Sequence, residues 1–528
     1  MILQFLERHA GSDHVALIDG QRSVTWGEFA AAAGERQRSY APHLKGTRIG
    51  LPFRSSIESF VALAALVRHQ VHLFLVSGRA TPDQLAMWGR EFHWHAWLDS
   101  RGELQPAAPA GSSSAAALPP GAWQTGVSDS RCVTILTSGT AGRPKAVRHT
   151  WDSLSRPVRI HSELTGSRWL LTYRPHLYAG LQVMLQCFAN GGTLVVPEEG
   201  ASADEVVSLA VRGAVGFASA TPSYWRWLLT FADPVAISHI PLRQITLGGE
   251  VIDQGILNSL KRLYPAARIV HIYATTELGR CFSVTDNQAG FPASFLSRPS
   301  PDGVELRIVN GELQVRSANA MQGYDGQGYD GQGNDEQGCD EQGCDEQGND
   351  GAGGLPPVAD AGRLCGGGGE SVGESGRAGA ADEQEAEAPS AVDGHGKLRQ
   401  DRCQQAAVAS SWFATGDLVR LVGERVYFAG RRSDMINVGG NKVHPLEVEA
   451  VIRELPEVAE VRVFGQESTL VGQLVACEIV VRPGADADLV RRKVQRVCQL
   501  QLAAPQRPRW ITVVDRLTLT EAGKTSRT

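Results

Sequence analysis

Residues 137–145 read Thr137-Ser138-Gly139-Thr140-Ala141-Gly142-Arg143-Pro144-Lys145. They follow Val133-Thr134-Ile135-Leu136, a β-branched apolar run that reads as a buried strand. Gly139 and Gly142 permit positive φ and let successive backbone N–H groups turn toward one anion. Thr137, Ser138 and Thr140 add hydroxyl donors, and Lys145 adds a compact charge suited to phosphate. A buried strand that ends in such a loop predicts a polyphosphate grip within an α/β fold. The Walker spacing G-x-x-x-x-G-K-[ST] does not fit this stretch. Gly523-Lys524-Thr525 imitates the close of that motif, but Thr518 stands where its first glycine belongs.

Around this loop, from residue 15 to about 320, short β-branched runs alternate with helical periodicity. Ile49–Pro52, Thr193–Val196, Ile245–Leu247 and Ile269–Tyr273 read as strands, and Ser56–Val67, Asp204–Val211 and Ile256–Leu263 as helices. Such alternation predicts α/β layers on largely parallel sheets. Asn310-Gly311, between Val304–Ile308 and Leu313–Arg316, signals a hairpin in a small β-barrel-like part. Beyond residue 431 the pattern changes to α+β, with helices expected over Pro445–Arg453 and Asp488–Leu500 and strands over Val461–Phe464 and Leu474–Val481. A large domain over 1–431 and a small one over 432–528 follow, which suits 528 residues better than one domain.

Residues 323–351 carry a five-residue repeat, and the segment 324–408 has too little apolar content to bury a core. It predicts a disordered insert that the fold does not need. EF-hand and RTX spacings are absent, and Cys339 and Cys344 lack the further ligands of a zinc finger. His93 and His95 would share a strand face, but no third ligand is evident. Residues 324–400 hold 17 acidic and 4 basic side chains, a balance of −13 within a total of −6, which leaves +7 on the rest. That remainder suits a body that handles anions, and the total gives no reason to expect nucleic acid or an anionic membrane as partner. Nine cysteines without a framework predict a reducing, cytoplasmic setting. The most apolar window, near 59–76, is broken by Arg68, His69 and Gln70 and is too short to span a bilayer.

The remaining motifs are Leu247-Gly248-Gly249-Glu250, Tyr273-Ala274-Thr275-Thr276-Glu277, Trp412-Phe413-Ala414-Thr415-Gly416-Asp417 and the strand end at Arg431. Gly439–Glu449 and Thr520-Glu521-Ala522-Gly523-Lys524-Thr525-Ser526-Arg527 complete the series. Their order and separations, with the loop at 137–145, resemble the adenylate-forming superfamily of acyl-CoA synthetases, peptide-synthetase adenylation domains and luciferases. The resemblance covers nearly the whole chain apart from 324–408. Ala141, Ala146 and Ala274 depart from the usual Thr, Gly and Gly, and Ser433 stands where the family usually has Asp.

The resemblance implies a split site. Thr137, Ser138, Gly139, Thr140, Gly142 and Lys145 would hold the ATP phosphates, and Gly248 and Gly249 would line the adenine and acyl sites. Tyr273 would stack on adenine, Thr276 would contact the α-phosphate and Glu277 would hold Mg²⁺. Asp417 and Arg431 would hold the ribose. Lys524 would offset charge between the substrate carboxylate and the α-phosphate. Ser433 would lie in a hinge at 432–434 that lets the small domain move, and Gly440 would line a thiol tunnel. The expected chemistry is activation of a carboxylic acid as acyl-AMP, then thioester formation with CoA. Two alternatives stand beside it: loading the phosphopantetheine of a separate carrier protein, and a nucleotide-binding module that has lost catalysis. For the acid, Arg174–Gly180 resembles the entrance to the acyl pocket, and His176, Tyr178, Thr221 and Trp225 would suit an apolar or aromatic substrate. No Asp stands there to pair with an amino acid's amine.

Overall fold

The β-branched runs that read as strands are buried on both faces because helices cover them. The computed structural model describes residues 2–20, 22–40, 44–107, 131–137, 144–297, 299–325, 411–468, 472–520 and 524–525, all within one unit. His72–Ser77 and Thr193–Val196 are buried at every position, as two-sided parallel strands must be. Three sheets form the large domain, two of them mixed. In the first, Arg268–Thr275, Gln244–Gly248, Phe217–Ala220, Arg168–Leu171, Thr193–Val196 and Val15–Asp19 run parallel in that spatial order. Gly279–Val284 and Arg22–Thr25 close its edges in the antiparallel sense. In the second, Ala96–Leu98, Arg48–Phe53, His72–Ser77 and Cys132–Thr137 are parallel. Lys145–Thr150 then folds back antiparallel on Cys132–Thr137, so the phosphate-loop sequence joins two adjacent strands rather than a strand and a helix.

The expected hairpin forms as Val304–Val309 and Glu312–Ser317, with Asn310 and Gly311 both at positive φ. It belongs to a five-stranded antiparallel sheet with Phe413–Val422 and Arg425–Arg431, in the place of the expected barrel-like part. The small C-terminal domain is a separate α+β layer. Val458–Ser468 and Gly472–Val481 pair along ten register positions, and the helices Pro445–Arg453 and Ala487–Gln501 bury Val448, Ile452, Val490 and Val494 in its core. The five described cysteines, Cys132, Cys187, Cys281, Cys477 and Cys498, are buried and form no disulfide among the described residues. Among the described residues no helix is long and apolar enough to cross a membrane.

The expected insert begins too early by at least two residues. Gly323–Tyr324 pairs antiparallel with Lys145–Thr150, and Asp325 is buried. Its carboxylate accepts from Arg48 Nη2 at 2.8 Å and from Thr134 Oγ1 at 2.5 Å, with Arg148 Nη1 at 3.5 Å and His72 Nε2 at 3.6 Å. Composition hid this, because the aspartate sits in the first unit of the repeat. Residues 326–410, with most of the expected insert and both Cys339 and Cys344, lie outside the described residues. Removing one partner of a buried charge cluster leaves the others uncompensated, typically at a cost of about 3–5 kcal/mol. Asp325→Ala is therefore expected to lower the unfolding free energy by about that amount in urea titrations. Replacing 326–408 by a short linker is expected to leave it unchanged; an equal loss there would make the segment part of the core.

Candidate active site

Parallel strands deliver their carboxyl ends to one edge, and that edge is where an open α/β sheet binds its ligands. Here Gln244–Gly248 ends in Gly249 and Glu250, and Arg268–Thr275 ends in Thr276 and Glu277. A cavity of about 860 Å³ opens there, lined by Thr137, Lys145, Gly248, Gly249, Thr276, Glu277, Arg431 and Lys524. With Tyr178, nine of the expected residues, from both domains, thus share one cavity. Ser138, Gly139, Thr140 and Gly142 lie outside the described residues.

Lys524 reaches this cavity because its chain end folds into a small closed loop. Thr520 N–H donates to the Lys524 carbonyl at 2.7 Å, and Leu519 bridges Thr525. The loop is tied to the large domain by one carboxylate. Glu250 Oε1 accepts from Thr525 N at 2.8 Å, while Ser223 donates its N–H to Oε2 at 2.9 Å and its hydroxyl to Oε1 at 3.0 Å. Lys524 packs directly over Gly249, whose φ of +86° favours glycine; a Cβ there would stand in ordinary contact, 3.4 Å from Lys524 Cε. Burial, and then the charge of Arg431, hold the Lys524 amine below the usual lysine range, against the pull of Glu250, Asp417 and Glu277.

Asp417 stands behind the cavity wall. Its Oδ2 accepts from Tyr273 Oη at 2.5 Å and its Oδ1 from Arg431 Nε at 3.0 Å. A carboxylate offers about four lone-pair sites, so acceptor capacity remains for further hydroxyls. The Tyr273 ring packs nearly parallel to Phe282 and Phe428, with centroids 5.3 and 5.0 Å away, and does not itself line the cavity. The Glu277 carboxylate has no ion-pair partner among the described residues. These residues also hold no group of three or more His, Cys, Asp or Glu that could bind a metal alone. That donor set fits magnesium, which takes one or two carboxylates and completes its shell with phosphate and water oxygens.

The four expected acid-pocket residues separate. Tyr178 begins the helix Tyr178–Ala189 and lines the cavity. His176 is buried outside that lining. Thr221 caps the helix Pro222–Phe231 by accepting from Tyr224 N at 3.1 Å. Trp225 is 1 % exposed in the core beside Leu228 and Ile245. Helical spacing could not tell which face of these segments looked into the cavity. Ser433 lies in the turn Arg432–Asp434, donating to Asp434 Oδ1 at 3.0 Å. Gly440, at φ +86°, is exposed in a hairpin turn away from the cavity.

Sequence reasoning missed His149. It lies on the same strand as Lys145, is wholly buried, and its Nε2 lies 2.7 Å from the Thr276 carbonyl. A carbonyl only accepts, so Nε2 carries the proton and Nδ1 accepts from Ser153 Oγ at 3.2 Å. The imidazole thereby fixes the backbone of Thr276-Glu277 against the phosphate-loop strand. A lone histidine in the strand Lys145–Thr150 carries no sequence signal for this. Glu312 was missed too: it accepts from Gly416 N at 2.7 Å and Arg432 Nη2 at 2.8 Å, joining the Thr-Gly-Asp turn to the expected hinge.

Residues 6–325 match the AMP-binding enzyme family. The chain belongs to that family. Residues 447–524 match the AMP-binding enzyme C-terminal domain. Among curated relatives, a 2-succinylbenzoate–CoA ligase of Listeria monocytogenes is 36% identical over 133 residues, 25% of this chain and 28% of that one. The matched stretch thus spans little more than a quarter of that relative. A 2-succinylbenzoate–CoA ligase of Lactococcus lactis is 23% identical over 407 residues, 74% of this chain and 69% of that one. The same fold occurs in the anthranilate CoA ligase AuaEII, with TM-score 0.67, 18% identity, and 99% and 95% of the two chains covered. It also occurs in a benzoate CoA ligase from Burkholderia xenovorans, with TM-score 0.66, 18% identity, and 100% and 98% covered.

Burial lowers the His149 pKa from 6.5 to about 4. The folded state therefore holds fewer protons than the unfolded chain between these values. The stability at stake is fully present above about pH 6.5 and is lost as the pH falls toward about 4. His149→Gln is expected to flatten this part of the profile of unfolding free energy against pH. An unaltered slope would place the dependence elsewhere.

Proposed function

We propose that this chain activates a small-molecule carboxylic acid with ATP and passes the acyl group to the thiol of CoA. The observation that carries this reading is the convergence of Lys524 from the small domain with Thr276, Glu277 and Arg431 from the large one in one cavity. The names of the relatives, all carboxylate–CoA ligases in the comparisons above, support the same class.

The chemistry follows from the placement. The substrate carboxylate and the α-phosphate are both anionic, and their oxygens must approach for the acyl–phosphate bond to form. The Lys524 ammonium, fixed by the loop on Glu250, supplies positive charge where that repulsion is greatest, in a site shielded from water. Thr276, held through its carbonyl by His149, offers a hydroxyl to the same phosphate. Lys145 and the loop before it take the departing pyrophosphate. Asp417 and Arg431 hold the ribose. Glu277 would hold a magnesium ion, which neutralises triphosphate charge when bound. AMP is a good leaving group, so the acyl carbon is then open to a thiol. The thiol step needs Lys524 out of the way, and the turn Arg432–Asp434 is where the small domain would pivot to bring Gly440 toward the acyl group.

Lys524→Ala is expected to lower ATP–pyrophosphate exchange on the order of a hundredfold or more. It is expected to leave thioester formation from supplied acyl-AMP and CoA largely intact. Equal loss in both half-reactions would overturn the role given to Lys524. Wild-type transfer to a holo-carrier protein but not to CoA would replace the acceptor.

A further inference from the structure

The cavity does not stop at the strand ends. It continues along one face of the first sheet, following alternate residues: Gly248, Thr246 and Gln244 on one strand, and Ala274, Ile272, Val270 and Arg268 on the next. From Ala274 to Arg268 is six residues, so the cavity runs roughly 20 Å down the sheet at about 3.3 Å per residue. The opposite wall is the helix Tyr178–Ala189 with the segment 157–164. The room comes from small side chains on the sheet face, among them Ser219, Thr246 and Ala274, where a helix-covered sheet would ordinarily carry large ones. Tyr173 and Tyr178 line the near end, Val183, Val270 and Ile272 the apolar middle, and Trp169 and Phe217 stand level with Arg268.

The far end is cationic. Arg280 is not part of it: it lies opposite Ala274, nearer the strand ends, and pairs with Asp302, as does Arg159. Glu163 is there, with His161 Nδ1 at 4.0 Å. Arg243 and Arg268 are different: neither guanidinium has a carboxylate partner among the described residues. Arg243 lies over the Phe217 ring at 5.5 Å, and its carbonyl accepts from Arg268 N at 2.9 Å, which sets the two residues side by side. Both residues are exposed, so water solvates their charges when the cavity is empty; an apolar chain end would gain nothing from them, whereas an anionic end would gain charge-assisted hydrogen bonds.

We infer that the acid taken by this site is elongated, with an apolar middle and a second anionic group at the end remote from the reacting carboxylate, bound by Arg243 and Arg268. This inference rests on the activity proposed above.

ATP–pyrophosphate exchange with the full chain and three probes tests it: benzoic acid, dodecanoic acid and dodecanedioic acid. The expected result is a kcat/KM for dodecanedioic acid about tenfold or more above that for dodecanoic acid. The difference should lie chiefly in KM, and the ratio should fall to near one in the Arg243→Gln/Arg268→Gln variant. Exchange with benzoic acid alone, or a monoacid equal to or better than the diacid, would overturn the inference and leave the proposed activity standing. A preference for the diacid that survives the double substitution would also overturn the assignment to these arginines. Exchange with none of the three would remove support from both.

Discussion

The place of Lys524 in this cavity depends on one carboxylate. Glu250 leaves the end of a central strand and accepts hydrogen bonds from Ser223 on the large domain and from Thr525 on the small one. It holds Lys524 and Thr525 beside Gly249 and so fixes where the Lys524 amine can reach. Without that tie, the lysine is a terminal side chain with the conformational freedom of any solvated ammonium, and burying it would carry no return. With the tie, a group costly to bury is kept beside Glu277 and Asp417, whose charges offset part of its desolvation.

The layers around this tie are built so that each contributes a rigid edge. The first sheet supplies Gly249, Thr276 and Glu277 from adjacent parallel strands. The second supplies Thr137 and Lys145 from an antiparallel pair. His149 binds the two sheets at the point where both reach the cavity. The five-stranded sheet supplies Asp417 and Arg431, and Glu312 fastens its turn to Arg432 at the start of the small domain. Movement of that domain is part of the proposed activity, and the residues it would carry away are Lys524 and its neighbours rather than Lys145, Thr276, Asp417 and Arg431.

Much of the architecture was legible because strand composition and turn chemistry are local. Val133–Leu136 read as a strand and is the middle of Cys132–Thr137, and Asn310-Gly311 read as a hairpin turn and is one. The gathering of Thr276, Glu277, Arg431 and Lys524 was legible only through the order of motifs, since no local property of a terminal lysine marks it. What stayed hidden was whatever depends on facing. Trp225 and Tyr178 are aromatic residues near helix starts, yet one is core and the other cavity wall. Asp325 sits in a low-complexity repeat, yet it is the buried counter-ion of Arg48. His149 and Glu250 act by positioning other groups, and such roles leave no pattern in a single sequence.

The central claim is that the Glu250 tie completes the site for the first half-reaction and for that one alone. Single-turnover measurement of both half-reactions in the Glu250→Ala variant tests it most directly. The account predicts slower formation of acyl-AMP from acid and ATP, with thioester formation from supplied acyl-AMP at the wild-type rate. Unchanged acyl-AMP formation, or equal slowing of both steps, would contradict it.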